Sequence, residues 1–130
     1  MKNLVVILSI LVVGLSAALV YLILGDGDGV DDLADRVNHT ETIVTNLNGS
    51  GMIQASFAFE VDAASTTKEL EKAYPLVESA IIKYLASHDR HSLQGTEGID
   101  EVEDELKKNL NELLSSGEVI NVYTTQKVVQ

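Results

Sequence analysis

The sequence predicts an α+β protein in which a single N-terminal transmembrane helix precedes one small domain of order β-β-α-α-β. Three observations predict it. Residues 4–24, LVVILSILVVGLSAALVYLIL, form an unbroken uncharged run. From residue 40 apolar residues alternate with polar ones, as they do along a half-buried strand. From residue 66 they recur at helical spacing until a β-branched C-terminal run takes over.

The chain has 130 residues, room for one ordinary domain beyond the anchor. All 20 acidic residues and 8 of the 9 basic ones lie beyond residue 25, so that part carries a net charge of −12. A surface this negative repels phosphate backbones, and no Lys/Arg cluster interrupts it, so nucleic acid is excluded as a partner. With no cysteine there is no disulfide, thiolate metal site or cysteine nucleophile.

As a helix the apolar run spans about 31 Å at ~1.5 Å per residue, which matches a bilayer core. Its 15 Leu, Ile and Val residues favour insertion by about 5–9 kcal/mol on the insertion scale. The run exceeds the apolar core of a cleaved signal peptide, and more apolar sequence follows Ser16, Ala17 and Ala18, so an uncleaved anchor is expected. Lys2 precedes the span and Asp26, Asp28, Asp31 and Asp32 follow it, which puts residues 1–3 in the cytoplasm and the rest outside. Within the span Gly14 and Ala18 form a small-xxx-small pair, a candidate helix-packing face in the membrane.

Residues 25–39 begin GDGDGVDDLAD, which looks like a calcium loop but fails the ligand spacing in either register. A flexible acidic linker is the expected structure, with loose cation accumulation through charge alone. The domain then occupies residues 40–130. Two strands are expected within residues 40–62, joined at Asn48-Gly49-Ser50-Gly51, with Ile53, Ala55, Phe57, Phe59 and Val61 facing the core. Thr66 and Glu69 have capping-box spacing and predict the start of the first helix. Pro75 predicts a kink, or a short helix followed by a longer one ending near Ser87. The next helix is expected over residues 99–115 on the stripe Ile99, Val102, Leu106, Leu110, Leu113 and Leu114, with Gly117 as its stop. Glu101, Glu103, Asp104 and Glu105 then fall in its first turns as a solvated face complementing the helix dipole. Residues 118–130 predict the last strand.

Three ordered motifs carry a family resemblance. ELEKAYPLVESAIIKYLAS contains Pro75; LQGTEGIDEVEDELKKNLNELL contains Leu93, Gly95, Glu97 and Gly98; VINVYTTQKVVQ contains Tyr123, Thr125, Val128, Val129 and Gln130. Together, behind a single anchor, residues 40–130 resemble FliL, the flagellar basal-body-associated family, whose pattern puts Leu93, Gly95, Glu97 and Gly98 in a turn before the second helix. One departure is Lys127, where that family commonly has an aromatic residue.

The resemblance implies a stomatin-like extracytoplasmic domain on a single-pass inner-membrane protein of the flagellar basal body. It implies association with the stator of the MotA/MotB type, and assembly as a homo-oligomeric ring supporting rotation, motility and swarming. It implies no cofactor, no metal and no small-molecule substrate, and assigns no role to SHDRHSLQGTEG, where His88 and His91 fall at a variable helix end. Physically, two histidines there can meet the last helical carbonyls, and a metal would need a third ligand, for which His39 is the one other imidazole. No nucleophile elbow or phosphate-cradling glycine motif is present, so an enzyme is not expected.

Two other readings make different predictions. A generic anchored module regulating another envelope complex would leave swimming unaffected when deleted, and a divalent-cation sensor on the Asp-rich linker would bind calcium with a defined stoichiometry. For a ring, the exposed face of the last strand and the acidic start of the second helix are the candidate contacts. Like-charged faces meeting would require Lys107 and Lys108 contacts or dependence on cations.

Overall fold

A run of alternating apolar residues makes one strand the spine of the domain. In the computed structural model, which describes residues 1–25 and 28–130 and the side chains outside residues 21–31, this is β3 (Met52–Val61). Ile53, Ala55, Phe57, Phe59 and Val61 are all buried, as the period-two pattern predicts. Two further strands, β1 (Val37–His39) and β2 (Ile43–Asn46), pair antiparallel with β3, at Glu60 to Ala58 and at Ala55 to Met52 respectively. The fourth, β4 (Val119–Val129), pairs antiparallel with β3 from Ile53 to Val61. A strand has two edges, so β1 and β2 must share the one that β4 leaves. Thr40 bridges them, its N–H donating to the Phe57 carbonyl at 2.8 Å and its Oγ1 accepting from the Phe57 N–H at 2.9 Å.

The β2–β3 hairpin closes where expected. Gly49 and Gly51 adopt φ of +89° and +103°, conformations open to glycine at little steric cost, and the Leu47 N–H donates to the Gly51 carbonyl. β1 was not expected: its three residues are too few to show a pattern, and its pairing extends the domain back from residue 40.

The chain divides into two units, Met1–Ala34 and Asp35–Gln130. The first holds α1 (Lys2–Gly25), whose stretch Lys2–Val20 is long and apolar enough to cross a membrane. A second helix, α2 (Asp28–Asp35), occupies part of the segment expected as an open linker. The side chains of Asp28 and Asp31, and Asp26 altogether, lie outside the described residues, so the proposed cation accumulation rests on groups not described.

In the second unit α3 (Ala64–Lys72) and α4 (Tyr74–Ala86) are separated at Ala73, and Pro75 sits in the first turn of α4, where its missing N–H costs nothing. This is the short-then-long pair that the proline predicts. Ser87 ends α4 as expected. The predicted capping box is not formed: α3 begins two residues before Thr66, with Ala63 at its N-cap and no side-chain cap. Both side chains are taken by other partners, one local and one distant. Thr66 Oγ1 donates to Asp62 Oδ1 at 2.7 Å, and Glu69 Oε1 accepts from the Ser115 N–H at 2.7 Å and the Ser115 hydroxyl at 2.6 Å.

The last helix, α5 (Gly95–Leu113), starts four residues earlier than its apolar stripe suggests. The reason is a close approach. A Cβ on Gly98 would lie 2.7 Å from the Leu93 carbonyl carbon and 2.9 Å from the Ser92 oxygen, so the helix packs onto residues 92–93 through a glycine. Read as a turn residue, it is an element of the helix. Val102, Leu106 and Leu110 are buried as predicted, Ile99 and Leu114 are half-buried, and Leu113 is exposed. Glu97 rather than Glu101 to Glu105 is the first-turn acid, so the dipole role assigned to that cluster falls away.

Gly117 lies beyond the helix and seats against the buried Thr66, whose Oγ1 a Cβ there would overlap. The core forms between one sheet face and the three helices, with Phe57, Ile43, Ile81, Leu85, Leu93, Leu106 and Leu110 among its fully buried members. The fold is therefore α+β with a small antiparallel sheet.

Candidate interaction surface

β4 carries most of the last motif, and its geometry decides what each residue can do. Two extra residues interrupt its pairing with β3: Ser56 pairs with Gln126 but Phe57 with Thr124, and Glu60 pairs with Asn121 but Val61 with Val119. Thr125 and Ile120 are thus bulged. Each bulge reverses the alternation, which is why Val119 and Val122, three apart, are both buried. The core face of β4 consequently runs through Val119, Val122, Thr124, Lys127 and Val129, and the outer face through Asn121, Tyr123, Gln126 and Val128.

The motif residues do not converge on one pocket. Pro75 opens α4, Leu93 is buried beneath Gly98, Gly95 starts α5 at φ +71°, and Glu97 is exposed on its first turn. Gln130 exchanges two backbone hydrogen bonds with Met52, each 2.9 Å, which closes the end of the sheet. Val129 packs on the core, while Tyr123 and Val128 are exposed. In the separate N-terminal unit, Gly14 and Ala18 share a shallow groove on α1 with Ile7, Ile10, Leu11 and Leu15. Ser9 and Ser16 turn their hydroxyls to the Val6 and Val13 carbonyls of the same helix.

The free edge of β4 is closed by α5. Glu103 Oε2 accepts from the Thr124 N–H at 2.7 Å, and Asn111 accepts from the Val119 N–H at 2.7 Å while donating to its carbonyl at 3.2 Å. An edge so capped resists pairing with another strand. Sequence reasoning missed these roles, since an acid and an amide on a solvated helix face carry no sign of a strand edge beside them. Asp100, Glu103, Asp104 and Lys107 line a cleft of about 350 Å³ with Asn121 and Tyr123. Lys108 is engaged with Glu105 at 3.0 Å on its own helix.

Two carboxylates act as clasps. Hydrogen bonds from the Ser115 hydroxyl and N–H hold the Glu69 carboxyl below its usual range, and the Thr66 hydroxyl with the Glu118 N–H does the same for Asp62. A depressed folded-state pKa gives stability that is present above the ordinary carboxylate range and lost as pH falls through the folded value. The melting temperature is therefore expected to fall on acidification below about pH 4, and Glu69→Gln should weaken that fall while lowering the neutral-pH value. Thermal melts across pH check both.

Lys127 stands on the core face opposite Ala55. It borders a small apolar cavity of about 10 Å³ with Ile53, Phe57, Leu85, Ile99 and Val102. An aromatic ring there covers apolar surface that the lysine stem covers incompletely, so Lys127→Phe is expected to stabilise the domain by about 1 kcal/mol, a rise of several degrees in melting temperature.

His88 Nδ1 lies 2.7 Å from the Tyr84 carbonyl, a helix-end contact of the kind expected, and its ring lies against Tyr84 at a tilt of 42° with centroids 4.3 Å apart. The Tyr84 hydroxyl is buried without a hydrogen-bond partner among the described residues, and burial, reinforced by Glu101 and Glu105, pushes its pKa up to about 12. His91 is exposed and His39 lies in β1 opposite Ala58. Among the described residues no three His, Asp or Glu side chains gather as a metal site. The features that stand out are surfaces: an acidic helix face, and an outer sheet face with large exposed apolar side chains.

Residues 37–130 match the family model described as "Flagellar basal body-associated protein FliL". The chain is 31% identical over 96 residues to "Flagellar protein FliL" of Bacillus subtilis (strain 168), covering 74% of this chain and 69% of that one. It is 33% identical over 75 residues to "Flagellar protein FliL" of Aquifex aeolicus (strain VF5), covering 58% of this chain and 47%, about half, of that longer protein. The match begins at β1, the strand that sequence periodicity did not reveal. With 94 residues matched, from the first strand of the sheet to the last residue, the chain belongs to the FliL family of flagellar basal body-associated proteins.

Proposed function

We propose that this protein is a non-enzymatic, single-pass membrane component of the flagellar basal body that associates with the stator, of the MotA/MotB type, as a ring supporting rotation, motility and swarming. The observation that carries this is the family match over the whole sheet-and-helix domain. The anchor reading supports it: α1 carries no acidic or basic residue beyond Lys2, and the charge change across it orients residues 35–130 outward. Domains tethered in one plane share an orientation and a high effective concentration, so modest lateral contacts suffice to close an assembly. A domain of this size also gains stability from association.

Deleting the gene should weaken swarming and rotation under load, and the full chain should restore both, whereas a chain lacking residues 1–25 should not. Normal swimming and swarming after deletion would sink the proposal in favour of a module serving another envelope complex.

A further inference from the structure

The two edges of the sheet are unlike each other. Glu103 and Asn111 close the β4 edge, whereas the opposite edge, formed by β1 and then β2, has no such cover. In β1 the Arg36 carbonyl accepts from the Val61 N–H and the Thr40 N–H donates to the Phe57 carbonyl. Val37 and His39, one residue out of step with both, therefore turn their N–H and C=O groups away from β3. In β2 the Leu47 N–H donates to the Gly51 carbonyl, and the same alternation turns Val44 and Asn46 outward. Among the described residues none of these four N–H groups has a partner.

Sheets ordinarily protect a bare edge with lysine or proline. Residues 37–46, VNHTETIVTN, contain neither, so the edge is open to another strand. The ground beside it says which kind. A cleft of about 220 Å³ lies between β1 and the helices α3 and α4, with an apolar wall of Phe59, Leu70 and Val77, and with Tyr74 and the Glu71 carboxylate. No Lys or Arg lines it. Alternate side chains of an added strand point to this side of the sheet. A lysine or arginine among them would lay its stem on the apolar wall and carry its charge to Glu71. The wider field favours the same occupant. Asp35–Gln130 carries 16 acidic and 8 basic residues, a net charge of −8, which attracts a cationic segment and repels an equally acidic second copy. A second copy also has its β4 edge capped, and so has no complementary edge to offer.

We propose that the β1–β2 edge takes an extended, lysine- or arginine-bearing segment of a different protein as an additional strand. Its main chain pairs with the outward groups of Val37, His39, Val44 and Asn46, and one cationic side chain enters the Glu71 cleft. Main-chain pairing supplies affinity, and the cleft supplies selectivity. In assigning that segment to the stator, the inference rests on the function proposed above; the edge and its cleft do not.

Photoreactive residues at His39 and Val44, both exposed on this edge, test the pairing in the full-length protein in living cells, with captured peptides identified by mass spectrometry. Captures from the two positions should fall on one stretch of a single partner, with a Lys or Arg inside it. Glu71→Lys should cut that yield on the order of tenfold by charge reversal in the cleft. Val44→Pro removes an outward N–H and no rung of the β2–β3 ladder, and should do the same to capture from His39. Unchanged melting temperatures confirm that both variants fold. A second copy as the main product, captures scattered over several proteins, a stretch without Lys or Arg, or a yield indifferent to Glu71→Lys would overturn the pairing. Stator capture from Val12 and Asp104 with none from His39 or Val44 would overturn it and leave the function standing. Capture of one cationic stretch in a protein outside the stator would do the reverse.

Discussion

Phe57→Ala is expected to lower the unfolding free energy by about 3–5 kcal/mol, a large share of the roughly 5–15 kcal/mol that a domain has. Phe57 is 1% exposed at the middle of β3, the strand on which every other strand pairs. It lies in one cluster with Leu85 of α4, Leu106 of α5 and Leu93 between them, so truncation opens a cavity among elements that are held separately. Neighbours held on separate elements cannot collapse together, which puts the cost at the upper part of that range. Denaturant unfolding of the full chain measures it. Leu113→Ala, at a 39% exposed position on α5, is the comparison and should cost less than about 1 kcal/mol. Similar losses at the two sites would contradict the assignment of the core. In cells, the Phe57 variant should accumulate poorly and lose motility through lack of protein.

Gly98→Ala is expected to destabilise although helix propensity alone predicts the opposite. Replacing a helical glycine by alanine ordinarily gains roughly 1 kcal/mol. Here the added Cβ meets the Leu93 carbonyl carbon at 2.7 Å and the Ser92 oxygen at 2.9 Å, and both are backbone, so relief requires α5 to lift from residues 92–93. Overpacking of this kind costs about 1–3 kcal/mol. Since Leu93 is itself buried, lifting the helix also unseats it, and a net loss of about 1–2 kcal/mol is expected. A more stable Gly98 variant would mean that the approach of α5 to this turn is looser than described.

These two sites show what was legible in the sequence. The five inward residues of β3 and the hairpin at Gly49 and Gly51 were readable because strand period and left-handed turn chemistry are local. Pro75 was readable for the same reason. Gly98 was misread as part of a loop, because the same residue that permits a turn also permits close packing, and only the neighbouring backbone distinguishes them. Thr66 and Glu69 have capping-box spacing, yet their side chains bond Asp62 and Ser115, the latter 46 residues away. Local rules cannot see a tertiary competitor. The bulges at Ile120 and Thr125 were hidden because polar and apolar residues mix on both faces of β4, with Thr124 and Lys127 on the core side and Tyr123 and Val128 outside, so no break in alternation marks them. The outer sheet face was least legible of all: only the register places Val44, Tyr123 and Val128 on one face, with Glu60 as the one acid among the described strand residues.

The central claim is that the protein works beside the flagellar stator, and in-cell photocrosslinking tests it most directly. A photoreactive residue is placed at Val12 in the anchor and at Asp104 and Tyr123 in the domain, and captured peptides are identified by mass spectrometry. Stator peptides, those of its single-span subunit among them, are expected together with self-crosslinks. Capture of an unrelated membrane complex, with no stator peptide from any of the three positions, would contradict it.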